Sequence, residues 1–379
     1  MKVCFYGSVA RALNGKTDGG SELQMALLAK ALTRGGHEVV CLDYEIREDF
    51  ITSDGIKVLS IKGWNKGIMA IRIFTHRLPQ LYSLLKEQNA DIYYCRMRDY
   101  MNILPFLAAQ KIKSKFIIAM ASDLDALGFR MRLKYYYIPN LREIWWGMFA
   151  GLLIEIIHPW LLRKADMVFV QHEGQKQILL RKGIKSMLLY NLIDLTKLPV
   201  ISNPVKNDFV YVGWLDKRKG IAEFFELVKR SPSHTFKVIG PPRDKTGKLC
   251  YDELKTFQNV SLLGELNHSD TLCHIGNSRA LISTSPMEGF PNIFIEAWAY
   301  GVPVLSLYVD PGDVIKREDL GKVAYGNMDK LVNALESVGN TDEFAAKAKA
   351  YVENQHVLNE FRIKEIDTLF NKLNINNKI

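Results

Sequence analysis

Cysteine is scarce in this 379-residue chain: Cys4, Cys41, Cys95, Cys250 and Cys273 are scattered, odd in number and never spaced as C-x-x-C. That excludes a disulfide-stapled scaffold and a cysteine zinc site, and it suits a reducing compartment. Long apolar runs are missing too. No segment reaches the ~20 residues needed to span a bilayer. The nearest, WWGMFAGLLI at residues 145–154, is soon interrupted by Glu155, His158 and Pro159; it reads equally as plain core and as an interfacial helix. The eight histidines form no H-x-x-x-H or H-E-x-x-H pair, so no metal held by the protein is expected. No G-x-x-x-x-G-K-[ST] occurs, and Gly7 is not followed by a tight G-x-G-x-x-G. A P-loop and a nicotinamide-dinucleotide site are thereby set aside. The start, Met1-Lys2-Val3-Cys4-Phe5-Tyr6-Gly7, has one positive charge and too short an apolar run for a secretory signal, so a cytoplasmic location is expected.

What is present is an ordinary globular composition, 48% hydrophobic and 24% charged, at more than twice the common domain length of ~150 residues. Two domains are expected. The net charge of +9 is uneven: residues 1–200 carry 28 Lys and Arg against 18 Asp and Glu, and residues 201–379 carry 22 against 23. Residues 57–134 alone hold 14 basic and 5 acidic side chains. Such a field suits an anionic partner, either a membrane surface or a phosphorylated ligand, or else is a solvated face. Arg130, Arg132 and Lys134 precede Tyr135-Tyr136-Tyr137, an order that suits a lipid headgroup surface. No RRM, KH or helix-turn-helix signature accompanies the charge, so nucleic acid is not an expected partner.

Along the chain, Lys2–Tyr6 reads as a buried strand. A loop of about fourteen residues then ends at Asp18-Gly19-Gly20, and Ser21 can cap a helix carrying Leu23, Leu27, Leu28, Ala31 and Leu32. Strands at 39–42, 92–94, 116–120 and Met167–Val170 continue a βαβ alternation, which makes the first half a doubly wound α/β domain. A second such domain opens at Phe209–Val212, with strands at Phe236–Ile239, 260–263, Ala280–Ser283 and 302–307. The proline-bearing stretch at 195–207 reads as the linker.

The strongest motif is Ser283-Thr284-Ser285-Pro286-Met287-Glu288-Gly289-Phe290-Pro291-Asn292-Ile293-Phe294-Ile295-Glu296-Ala297. It runs from the carboxyl end of a strand into a helix, where ligands gather in open α/β sheets. Pro291 suits a first helical turn, Gly289 allows close backbone approach, and the unpaired N–H groups that follow favour a diphosphate. Glu288 and Glu296 can therefore meet two parts of one ligand.

Here the chain resembles family 4 of the retaining glycosyltransferases, within the group 1 glycosyl transferases, whose signature places E-x7-E inside S-x-x-E-G-F-P-x-x-x-x-E-A. The resemblance extends to Gly19-Gly20-Ser21-Glu22, Gly36-His37-Glu38-Val39, the segments at 165–171 and 191–194, and Gly213 through Gly220. It implies a GT-B fold, two Rossmann-like doubly wound domains facing across a cleft. The expected division is residues 1–195 for the acceptor, a linker at 196–207, residues 208–355 for the nucleotide sugar, and residues 356–379 as a helix returning to the first domain.

Carried over by position, Lys219 binds the donor diphosphate and Glu288 contacts the transferred sugar. The N–H groups near Phe290–Asn292, beside Gly289 and around the N–H-less Pro291, hold sugar or phosphate, and Glu296 accepts hydrogen bonds from the ribose hydroxyls. Gly213 and Arg218 belong to the phosphate loop, and Gly19 and Gly20 close the pocket from the other domain. Two departures stand out. Trp214 occupies the place of the family's usual arginine, a charge that Arg218 or Arg243 could replace. Ala121-Ser122-Asp123 stands where the family often has a histidine, so Ser122 or Asp123 either contacts acceptor or sugar or caps a helix.

The expected activity is metal-independent, retaining transfer of a hexose from a nucleoside diphosphate to a hydroxyl of a lipid-linked or cell-envelope glycan, without a resident cofactor. The expected location is the cytoplasmic face of the membrane, held peripherally by anionic lipid. The alternative is a catalytically weak nucleotide-sugar-binding homologue that assists a partner enzyme.

Overall fold

The computed structural model describes residues 1–16, 19–68, 71–127, 141–202, 204, 206–339 and 341–375, with residues 141–150 and 375 described by backbone alone. These residues form two compact units. One comprises the described residues up to Leu192 together with those from Leu358 onward; the other is Ile193–Val357.

The first unit is built on eight strands: β1 (Lys2–Tyr6), β2 (Glu38–Asp43), β3 (Phe50–Ile51), β4 (Lys57–Ser60), β5 (Ile92–Arg96), β6 (Lys115–Ala119), β7 (Met167–Val170) and β8 (Ser186–Leu188). Their order is β3-β4-β2-β1-β5-β6-β7-β8, parallel except for the β3–β4 pair. Strands β1, β5, β6 and β7 read as nearly unbroken apolar runs because helices cover both faces of the sheet. On one face the Gly20–Arg34 helix buries Met25, Leu28, Ala29 and Leu32. Beside it lies the Glu360–Ile375 helix, whose Ile363, Ile366 and Phe370 enter the same core. There Phe370 meets Phe169 at 5.7 Å, and Asp367 lies 2.8 Å from His37. On the other face are the helices Leu78–Gln88, Ile103–Ile112 and Leu141–Lys164.

The second unit has six parallel strands, β9 (Phe209–Val212), β10 (Phe236–Ile239), β11 (Val260–Gly264), β12 (Ala280–Ser283), β13 (Val304–Ser306) and β14 (Gly321–Val323). Their order is β11-β10-β9-β12-β13-β14, so the chain winds outward from β9 and then from β12. This is the doubly wound pattern with its switch point between those two strands. Trp298 is fully buried beneath the sheet and donates its indole N–H to Leu320 O at 2.9 Å.

Several sequence expectations shift. The first loop contains a short helix, Ala10–Leu13. The next helix starts at Gly20 with Gly19 as its cap, so Ser21 lies inside the first turn rather than at the cap. Residues 145–154 belong to a 24-residue helix, Leu141–Lys164, that carries Pro159 inside it. Among the described residues no helix is long and apolar enough to cross a membrane. The units divide at Leu192/Ile193, before the proline-bearing stretch. Residues after 193 already pack in the second unit, where Tyr300 donates to Pro199 O at 2.9 Å. The basic-aromatic segment at 130–137 lies outside the described residues, and so do the side chains of Trp145 and Trp146.

Candidate active site

Strand β9 ends at Gly213, and the chain turns at Asp216. This buried carboxylate accepts the Lys219 N–H at 2.9 Å through one oxygen and pairs with Arg218 at 2.9 Å through the other. The turn Lys217–Lys219 then closes on Gly220, whose φ of +70° is left-handed. A Cβ on Gly220 would lie 2.0 Å from the carbonyl oxygen of Thr284, so only glycine fits between the two loops. Thr284, just past β12, donates its hydroxyl to Gly220 O at 2.7 Å. Tyr211 donates from β9 to Lys219 O at 3.1 Å; burial pushes its phenol pKa up, which keeps it a donor. Two neighbouring parallel strands thus clamp one turn at the switch point.

The clamp sets Lys219 opposite Glu288, with Nζ 2.6 Å from Oε1. The side chains remain 35% and 21% exposed, so water screens the pair and it contributes at most ~1 kcal/mol to stability. Its consequence is chemical: a cation and a carboxylate are held together at the carboxyl edge of the sheet. Gly289 and Phe290 are buried behind Glu288, and the Phe290 ring packs against Trp298 and His356. Pro291 is the N-cap of the Asn292–Ala299 helix rather than its first residue. Glu296 is therefore one turn into the helix, where it is buried and 2.9 Å from His268 Nε2.

His268 was not legible as a site residue. It begins its own helix, His268–Gly276, and meets Glu296 only because two crossovers bring their helices together. The hydrogen bond to Glu296, with the attraction of its charge, raises the His268 pKa against the opposing effect of burial. A raised folded-state value makes this contribution complete below the ordinary imidazole pKa of 6.5 and lost as pH rises through the higher folded value. His268→Gln is accordingly expected to lower stability below pH 6.5, by under ~1 kcal/mol at this exposure. The difference from the parent should shrink at alkaline pH. Melting curves from pH 5 to 9 check this, and a difference that does not change with pH overturns it.

The remaining sequence candidates fall in several places. Arg218 is engaged by Asp216, and the Arg243 guanidinium lies 4.9 Å over the Trp214 ring. Gly19 and Gly20 open the Gly20–Arg34 helix of the first unit, Gly19 as its N-cap and Gly20 as its first residue. Ser122 caps a short 3₁₀ turn in a reciprocal box with Asp125. Asp123 projects instead toward the end of β7, 2.9 Å from both His172 and Gln175.

Residues 199–355 match the family described as Glycosyl transferases group 1. The chain is 27% identical to the lipopolysaccharide 1,6-galactosyltransferase of Salmonella typhimurium over 336 residues, 83% of each protein. It is also 27% identical to an uncharacterized glycosyltransferase of Methanocaldococcus jannaschii over 258 residues, 61% of this chain and 58% of that one; the match spans a little over half of the archaeal protein. Among solved structures, sucrose-phosphate synthase from Thermosynechococcus elongatus superposes with a TM-score of 0.77 at 17% identity, over 98% of this chain and 99% of that chain. The fold is that of GT-B glycosyltransferases.

Proposed function

We propose, from the group 1 glycosyl transferase domain at residues 199–355, that the protein is a retaining, metal-independent hexosyltransferase of family 4. It moves a sugar from a nucleoside diphosphate to a hydroxyl of a lipid-linked or cell-envelope glycan. The observation that carries the reading is the Lys219–Glu288 pair, 2.6 Å apart at the switch point. A nucleoside diphosphate sugar presents an anionic diphosphate next to a neutral polyol, and this pair presents an ammonium next to a carboxylate. Lys219 offsets charge on the departing phosphate, assisted by the N–H groups at the start of the Asn292–Ala299 helix. Glu288 meets the sugar, and Glu296, oriented by His268, accepts the ribose hydroxyls. Gly213 and Arg218 border the phosphate site.

In the reaction the bond between the anomeric carbon and the phosphate oxygen breaks as the acceptor oxygen forms its bond on the same face. The departing phosphate takes the hydroxyl proton. No pair of carboxylates flanking the bond is then required. A screen of UDP-, GDP- and ADP-sugars for thermal stabilisation tests the donor assignment; stabilisation by none of them would overturn it. The second reading, a weak nucleotide-sugar binder that assists a partner enzyme, draws support from Trp214 in the phosphate loop and from Arg218 turned to Asp216. Sugar-nucleotide hydrolysis with and without acceptor lipid separates the two.

The same reading places the enzyme on the cytoplasmic membrane face. Leu152, Ile156 and Trp160 are exposed four residues apart along the Leu141–Lys164 helix, followed by Arg163 and Lys164 in its last turn. Leu107 is exposed on the Ile103–Ile112 helix that packs beside it. An apolar stripe ending in basic residues suits an anionic bilayer, where each cation contributes ~1 kcal/mol within a Debye length. Vesicle sedimentation should show binding that needs anionic lipid and weakens as salt rises. Equal failure to bind neutral and anionic vesicles at low salt would remove the membrane assignment alone.

A further inference from the structure

At the carboxyl ends of β6 and β7 one carboxylate is held with unusual economy. Asp123 Oδ1 lies 2.9 Å from His172 Nε2 and 2.9 Å from Gln175 Nε2. His172 is 6% exposed and Gln175 fully buried, yet the Asp123 side chain is 33% exposed. The orientation of Gln175 is fixed from behind: its carbonyl oxygen accepts the Gln171 N–H at 2.8 Å, so its amide nitrogen must face Asp123. Gln171 in turn donates to Asn191 at 3.2 Å, and Arg96 donates to the same Asn191 oxygen at 2.9 Å. The other ring nitrogen of His172, Nδ1, is buried without a hydrogen-bond partner. Among the described residues the imidazole thus makes its side-chain hydrogen bond through Nε2, to Asp123.

Both buried donors fall on a single oxygen and occupy its lone pairs. Among the described residues Oδ2 has no hydrogen-bond partner, and it lies on a side chain that is part exposed at the strand end where open α/β sheets bind ligands. Ser122, the other residue in this stretch, is engaged at the cap with Asp125. A carboxylate serving only to tie β6 to β7 would need no free oxygen. A carboxylate that reads a hydroxyl needs one oxygen anchored and the other available.

We propose that Asp123 Oδ2 accepts a hydrogen bond from a hydroxyl of the sugar that receives the transferred residue. In this assignment His172 and Gln175 are positioning residues that fix the carboxylate. The inference rests on the glycosyltransferase reading above and adds a site for its second substrate. The ligand class is a pyranose hydroxyl, because the group offered is a single carboxylate oxygen, an acceptor, with the other oxygen held by His172 and Gln175.

Saturation-transfer NMR on the full chain tests this without nucleotide, using methyl glycosides of glucose, galactose and mannose together with their monodeoxy analogues. At least one glycoside should bind. Asp123→Asn should weaken it about tenfold, the loss of one hydrogen bond to a charged group. The deoxy analogue that lacks the hydroxyl in question should bind parent and Asp123→Asn equally. His172→Ala and Gln175→Ala should weaken the glycoside too, and His172→Gln, whose amide can reach the same oxygen, should recover part of the affinity. A merely structural role would lower melting temperature without this hydroxyl dependence. Absence of any glycoside signal, or equal affinity in parent and Asp123→Asn, overturns the proposal. Failure of the broader reading appears elsewhere, as the absence of stabilisation by every nucleotide sugar.

Discussion

Glu288→Gln is expected to slow sugar transfer at least ~100-fold, about 2.7 kcal/mol of barrier, while donor affinity stays within about threefold. The exchange is nearly isosteric, so the loop keeps its shape and only the charge is lost. Positive charge grows on the sugar as the phosphate leaves, and a carboxylate beside it stabilises the transition state more than the ground state. Binding is spared for a second reason. Lys219, 2.6 Å from Glu288, loses a competing anion and turns more freely to the diphosphate. Steady-state rates beside donor-induced melting shifts separate the two effects. Turnover within a few-fold of the parent would remove Glu288 from its assigned role.

Lys219→Ala is expected to reduce both donor affinity and turnover, with kcat/KM falling ~10²–10³-fold. In the proposed role the lost interaction exists in the ground state and strengthens as charge moves onto the departing phosphate. Lys219→Arg should recover little, because a planar fork cannot replace a compact ammonium inside a turn clamped by Thr284 and Tyr211. Stability should fall by less than ~1 kcal/mol, as expected for a screened pair, so a melting curve distinguishes a lost charge from a misfolded loop. With Lys219 and helix N–H groups supplying the positive field, a chelator should leave the parent's turnover unchanged. Activity lost to chelator and restored by Mg²⁺ or Mn²⁺ would overturn metal independence.

Much of this site is local and therefore legible in the sequence. Gly213 through Gly220 and the run from Ser283 to Ala297 each place their chemistry within one strand-loop-helix step. What the sequence concealed are the contacts between such steps. Thr284 holds Gly220 across 64 residues, and His268 meets Glu296 across 28. Asp123 meets His172 across 49. No periodicity links these pairs, because parallel strands are joined by crossovers whose length varies freely.

The sequence by itself determined the double α/β winding, since strands covered on both faces must be apolar throughout and carry that mark wherever they occur. It also determined which loops bear glycine, lysine and glutamate in the order a diphosphate sugar would require. The tertiary structure alone decided the division at Leu192/Ile193 and which side chains of the returning Glu360–Ile375 helix, Ile363, Ile366 and Phe370, enter the core of the first unit. It decided the short strands β3, β4, β8 and β14 as well, whose two to four residues lie at or next to the edges of the two sheets. The reason is common to all of them. A short strand, a crossing point or a returning helix is stabilised by surface that a distant part of the chain supplies, and hydrophobic burial is not directional enough to name that part in advance.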